Sequence, residues 1–214
     1  MTIDSIRPER KVSREPFERD MNVAASCEGW AQLTFRQQKI MHDSLLLSRA
    51  HALAQIASPE EIPAHAIAEI KRLHGLWWCH AAVQALEQEE AIDFQKKDID
   101  SETFFGQDEI KETILLRWSD PDYMESRIRE RWLDPFPCAG HLRRLIPADE
   151  HVPEPWYRHE HSFVLLGRSR MNSELYVWEK NCTDGDFQIV PLSTMLERES
   201  DSTEVIFRKF RNTK

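Results

Sequence analysis

The 214-residue chain lacks several features that would decide its class at once. No stretch approaches the ~20 apolar residues that a membrane span needs. The first 20 residues contain no apolar run, so no secretory signal peptide is predicted, and a cytoplasmic location is the default. Basic residues do not dominate: 28 Lys and Arg stand against 37 Asp and Glu, a formal net charge of −9. That balance argues against a general nucleic-acid binder. There is no internal repeat and no low-complexity tract. There is no Cys-x-x-Cys and no His-Glu-x-x-His, the spacings that most directly announce a metal centre. What is present is an ordinary globular composition, 41% hydrophobic and 30% charged, with a mean hydropathy of −0.58. The length buries a real core without disulfide staples. Four cysteines, Cys27, Cys79, Cys138 and Cys182, are expected as thiols rather than disulfides.

The order of elements predicts an α+β fold, a helical N-terminal half packed on a C-terminal antiparallel β-meander. Residues 1–20, charged and proline-containing, read as a flexible arm, and 21–214 as one domain. Apolar residues from Leu33 to Ile56 recur at helical steps. Ser58-Pro59-Glu60-Glu61 resembles a helix start, interrupted by Pro63. A second helical pattern runs from Ala66 to Leu73 and stops near Gly75. A third helix starts at Trp77 or Cys79, runs through Leu86 and ends near Glu90. Ile110, Ile114, Leu115 and Trp118 also fall at helical spacing, and Asp120-Pro121 announces a short helix over 122–132. Strands are expected at 141–146, 162–166, 175–178, 187–190 and 205–210.

Cys79 is the thiol with a mechanism. At the start of a helix it meets free backbone N–H groups and the positive end of the helix dipole, which favour the thiolate. The same N–H groups suit an oxyanion. His161 opens the apolar strand His161 to Leu166, a rigid place for a general base. Glu179 ends the next strand, within reach of an imidazole across a hairpin, and Asn181 is an alternative in that role. Trp77, Trp78 and His80 are candidates to line a cleft beside Cys79. Trp156, in the loop before His161, is placed to stand over it, with 147–155 as a lid. The opposing readings are plain: Cys79 as a buried inert thiol, His161 as a structural histidine, Glu179 as a surface acid, and 147–155 as a surface connection.

This order resembles the papain-like fold, specifically the NlpC-type cysteine hydrolases and amidases. Cys79 matches the helix cysteine, and Gly140-His141-Leu142 stands where that family has Gly-Asp-hydrophobic. His161 to Leu166 matches the histidine strand. Tyr176 to Lys180 matches the strand carrying the third residue, and Phe187 to Leu192 the closing strand. The resemblance covers 75–196. Around the nucleophile the family's Asp-Cys-Ser-Gly is replaced by Trp78-Cys79-His80-Ala81, and 82 positions separate Cys79 from His161. The resemblance implies a thiol hydrolase, a peptidase or amidase with Cys79, His161 and Glu179 as its catalytic residues. It implies no cofactor, and a peptide or peptidoglycan-like amide as substrate. A cell-wall substrate would require a non-classical or dedicated export route.

Two other classes remain open. A degenerate member would keep the strands and serve as a non-catalytic binding module. A zinc protein would draw on Cys138, His141, His159 and His161, since Cys138-x-x-His141 has the spacing of a zinc half-site and His159 and His161 alternate onto one strand face. Cys27 has no role that its neighbourhood explains.

Overall fold

The computed structural model describes residues 15–56, 62–75, 79–88, 111–115, 120–181 and 185–210. Six helices and a six-stranded sheet make up this part of the chain, a mixed α+β architecture as the sequence order predicts. No helix among the described residues is long and apolar enough to cross a membrane.

The first helix, α1 (Glu15–Ser26), begins inside the stretch expected to be a flexible arm. Phe17, Met21 and Ala24 recur at four- and three-residue steps and pack on the core, so tertiary burial draws these residues into a helix. A 3-10 turn (Glu28–Gln32) leads into α2 (Phe35–Ile56). A reciprocal capping box fixes the start of α2. The Gln37 N–H donates to Thr34 Oγ1 at 3.2 Å, and the Thr34 N–H donates to Gln37 Oε1 at 2.9 Å. Its buried positions, Gln37, Ile40, Met41, Ser44, Leu45 and Ser48, follow the helical repeat. Helices α3 (Ala64–Gly75) and α4 (Cys79–Gln88) fall where expected, with Gly75 as the last residue of α3. The proposed start at 58–61, and Trp77 and Trp78, lie outside the described residues.

One expected helix is a strand. Residues Lys111–Leu115 form β1, paired antiparallel with the last strand, Ile114 opposite Val205. A few apolar residues at three- and four-residue steps suit either state. Here the β-branched Thr113 and Ile114 and the pairing partner decide for the sheet. The next helix, α5 (Pro121–Arg131), keeps its predicted signal: Asp120 Oδ1 accepts from the Tyr123 N–H at 2.8 Å.

Strands β2 (Cys138–Ile146), β3 (Trp156–Arg168), β4 (Leu175–Lys180) and β5 (Phe187–Pro191) form the predicted meander. A helix that the sequence reading omitted, α6 (Leu192–Arg198), follows β5. Strand β6 (Glu204–Lys209) then returns beside β2 instead of continuing the meander. The order is β1-β6-β2-β3-β4-β5, with every pair antiparallel.

Alternation along the strands divides two cores. Ala139, Val164, Leu166, Trp178, Ile189 and Ile206 face α1, α2 and α4. Leu142, Phe163, Leu165, Val177, Val205 and Phe207 face α5 and α6. Each fully buried Leu, Val or Phe contributes about 1.5–3 kcal/mol relative to exposure. Gly140 lies opposite Phe163 in the β2–β3 register. A Cβ on Gly140 would meet the Phe163 ring at 2.3 Å, so the ring fills the space that any other residue would need.

A polar seam ties the first elements to the β3–β4 turn. Cys27 bridges Ser169, Ser26 Oγ lies 2.6 Å from Ser169 Oγ, and the Arg170 N–H donates to the Ser26 carbonyl. Beside it, Glu28 Oε1 accepts from the Arg168 N–H at 3.1 Å and from Arg129 at 2.6 Å.

Candidate active site

Three elements converge on Cys79. It is the first residue of α4, where the leading backbone N–H groups have no partner within the helix. The helix packs on β3 and β4 through its Ala82, Val83, Ala85 and Leu86 side. His161 is the sixth residue of β3, not its opening residue, because the strand begins at Trp156. The β3–β4 pairing ends at Phe163 opposite Glu179, so His161 stands just beyond the point where the two strands part.

The structure pairs two of the three expected residues directly. His161 Nε2 lies 2.7 Å from Glu179 Oε2, and both side chains are buried. An ionised carboxylate only accepts, so Nε2 carries the hydrogen and Nδ1 is the nitrogen left for the thiol. The Cys79 thiol and the His161 imidazole influence each other's ionisation. Burial alone would raise the Cys79 thiol. Hydrogen bonds from His161 and His80, and their charge, overcome it and bring the thiol down from the ordinary 9.0 to about 6. Burial likewise pulls His161 down, but the partnership with Cys79 and Glu179 outweighs it and raises the imidazole from 6.5 to about 9. Both shifts run in the direction of a thiolate beside an imidazolium.

Glu179 is fully buried, and a buried carboxylate is costly unless its lone pairs are occupied. Arg198 Nη2, from α6, donates to Oε2 at 2.7 Å, and Gln188 Nε2, from β5, donates to Oε1 at 2.7 Å. Desolvation pushes this carboxyl upward, yet His161 and Arg198 hold it at about 2. Arg198 and Gln188 were not found by sequence reasoning. The signal for Arg198 was present: Leu192, Met195 and Leu196 sit at helical spacing and are all buried. Gln188 carries no sequence signal beyond its place opposite Glu179.

His80, named as a cleft residue, lies against the thiol, with Nδ1 3.8 Å from Cys79 Sγ. It also reaches Ser162 and through it His141, residues with no assigned catalytic part in the sequence reading. Asn181 lies beyond the end of β4, where its N–H reaches the Asp186 carbonyl, and Glu179 takes the orienting position.

Two expectations are corrected. Trp156 is not in a loop over the cleft. It is the first residue of β3, paired with Ile146, five residues and therefore about 16 Å along the strand from His161. Residues 147–155 are accordingly the tip of the β2–β3 hairpin. The zinc half-site also fails. Cys138 and His141 are three apart on one strand, which puts them on opposite faces, and Cys138 is buried in the core facing α5 and α6. No group of three potential ligands that could hold a metal occurs among the described residues. The His159 side chain and Cys182 lie outside the described residues.

The other described thiols differ from Cys79. Burial pushes Cys27 up to about 12 and raises Cys138 as well. A groove of about 310 Å³ between α1, α2 and β5 is lined by Phe17, Leu45, Leu53 and Ile189, among others, and includes neither Cys79 nor His161. Compared with known families, curated proteins and solved structures, the chain matches none.

Proposed function

We propose that the chain is a thiol hydrolase of papain-like, NlpC-type organisation, a peptidase or amidase acting on a peptide or peptidoglycan-like amide. The observation that carries this reading is the buried His161–Glu179 pair, 2.7 Å apart, on the strands that the helix headed by Cys79 packs against, and the lowered thiol points the same way. A thiol held inert in a core would be raised by burial, as Cys27 and Cys138 are.

The chemistry follows from the atoms. Cys79 Sγ attacks the carbonyl carbon, and the carbonyl π electrons move onto oxygen. Backbone N–H groups at the start of α4 receive that oxyanion. The C–N bond breaks as His161 gives its Nδ1 proton to the departing amine, leaving an acyl-thioester on Cys79. His161 then takes a proton from water as the water oxygen attacks the thioester carbon. The acid leaves and the thiolate–imidazolium pair is restored. Glu179 keeps the imidazole in one tautomer throughout.

The test is acyl capture with p-nitrophenyl acetate. A burst of nitrophenolate, a 42-Da adduct on the Cys79 peptide and continued turnover are expected (42 Da is roughly the acetyl increment from acyl transfer). C79A should lose the adduct, and H161A should stall after acylation. Absence of any adduct on Cys79 in the folded wild type sinks the reading and leaves a non-catalytic module.

A further inference from the structure

Ser162 follows His161 on β3 and is fully buried. Its Oγ lies 2.5 Å from His80 Nδ1 and 2.7 Å from His141 Nδ1. The two imidazole rings are 5.4 Å apart, tilted by 50°. His80 Nδ1 is also 3.8 Å from the Cys79 sulfur. A serine hydroxyl owns one hydrogen and donates once. It therefore cannot donate to both rings, and at least one of His80 and His141 carries a hydrogen on Nδ1 and gives it to Ser162. The triad chemistry uses neither Ser162 nor His141, and His80 enters it only through its effect on the thiol. Polar groups this deeply placed are costly unless they satisfy one another, and here they do so in a chain that ends at the thiol.

We propose that His80 is a second proton partner of Cys79, and that Ser162 and His141 are positioning residues that hold its ring and share its proton. The proposal rests on the thiol-hydrolase reading. A hydrogen on His80 Nδ1 faces both Ser162 Oγ and Cys79 Sγ, giving the thiolate a donor besides His161. One excess proton travels along the chain. His80 Nδ1–H gives its hydrogen to Ser162 Oγ while Ser162 O–H gives its own to His141 Nδ1. Two bonds to hydrogen break, two form, and one positive charge moves from His80 to His141. The charge thus stands beside sulfur when sulfur is anionic, and one ring further away when sulfur is a neutral thiol or thioester.

The groups surrounding His80 come from three elements. Strand β3 supplies Ser162 and β2 supplies His141, while His161 of β3, paired with Glu179 of β4, acts on the same thiol. Helix α2 reaches α4 through Gln37, whose amide donates to the Leu86 carbonyl and does not titrate. Glu87, paired with Arg208 at 3.2 Å, lies two turns along α4.

The test is the pH profile of Cys79 alkylation by iodoacetamide, read from the mass of the Cys79 peptide in wild type, H80A, S162A, S162T and H161A. S162A and H80A should each move the midpoint up by roughly half to one pH unit, and S162T, which keeps the hydroxyl, should restore it. Wild-type midpoints in both S162A and H80A, with a shifted H161A, overturn the relay and leave the hydrolase reading standing. A wild-type midpoint in H161A removes that reading and the relay with it. Cys27 and Cys138, both fully buried, stay unlabelled only while the fold is intact. Should S162A fail that control, H80A at the half-buried helix start decides alone.

Discussion

Replacing His161 with alanine tests the electrostatic core of the site, and the expected result is less obvious than a loss of reactivity. The fall of the Cys79 thiol from 9.0 to about 6 corresponds to about 4 kcal/mol of preference for the thiolate. Burial opposes that preference, and His161 is the first of the groups that overcome it. Without the imidazole, burial is opposed by His80 alone, and the midpoint should return to about 9 or above. At pH 7 the thiolate fraction then falls by roughly a hundredfold. A more basic thiolate is also a better nucleophile, by roughly twentyfold for three pH units at a Brønsted slope near 0.45. The alkylation rate at pH 7 should therefore drop only about fivefold, while the plateau at high pH rises. A single-pH assay would miss the effect. The measurement is the rate of iodoacetamide labelling of Cys79 from pH 5 to 10, with Cys27 and Cys138 as buried controls. A midpoint that stays near 6 in H161A refutes the reasoning, because the thiol would then owe its acidity to something other than this histidine.

Two further expectations concern stability. The Glu179 carboxyl sits at about 2 when folded against an ordinary 4.5, so the unfolded chain binds its proton more tightly. That contribution, on the order of 3 kcal/mol, is fully present above pH 4.5 and is lost as pH falls toward 2. Urea unfolding at pH 6, 4 and 3 should show the loss in wild type and much less of it in E179Q; equal losses in the two proteins would rule it out. G140A places a methyl group against the Phe163 ring and should lower stability by about 1–3 kcal/mol, seen as an earlier denaturant midpoint. An unchanged midpoint would mean that the ring has room to retreat.

The sequence carried the local signals well and the long-range ones poorly. Asp120-Pro121, Gly75 and the strand patterns at 175–178 and 187–190 are written within a few residues, and each element formed where they placed it. Cys79, His161 and Glu179 were legible as candidates because each is anchored to such an element: a helix start, a strand and a hairpin end. What could not be read depends on a partner far along the chain. Residues 111–115 are a strand because β6 lies beside them, almost a hundred positions later. Ser162 read as the first residue of an apolar strand, and only the arrival of His80 and His141 gives its hydroxyl a part. Arg198 acquired meaning only when α6 brought it over Glu179. Trp156 was misplaced because β3 extends six residues further back than its apolar stretch, held by pairing with β2 rather than by burial.

The seam between Ser26 and Ser169 spans 143 positions of chain. The first helix therefore cannot finish docking until synthesis has passed Ser169, about four-fifths of the way along the 214 residues. Until then Phe17, Met21 and Ala24 lack the strands they pack against, and α1 has only its own marginal helicity to hold it. Closing so long a loop costs little more entropy than closing one of half its length, since the cost grows only with the logarithm of length. Its cost is in time, because remote contacts form late. Deleting the helices before Gly75 would accordingly strip the sheet of its cover on the α1–α2 side rather than release a smaller folded unit.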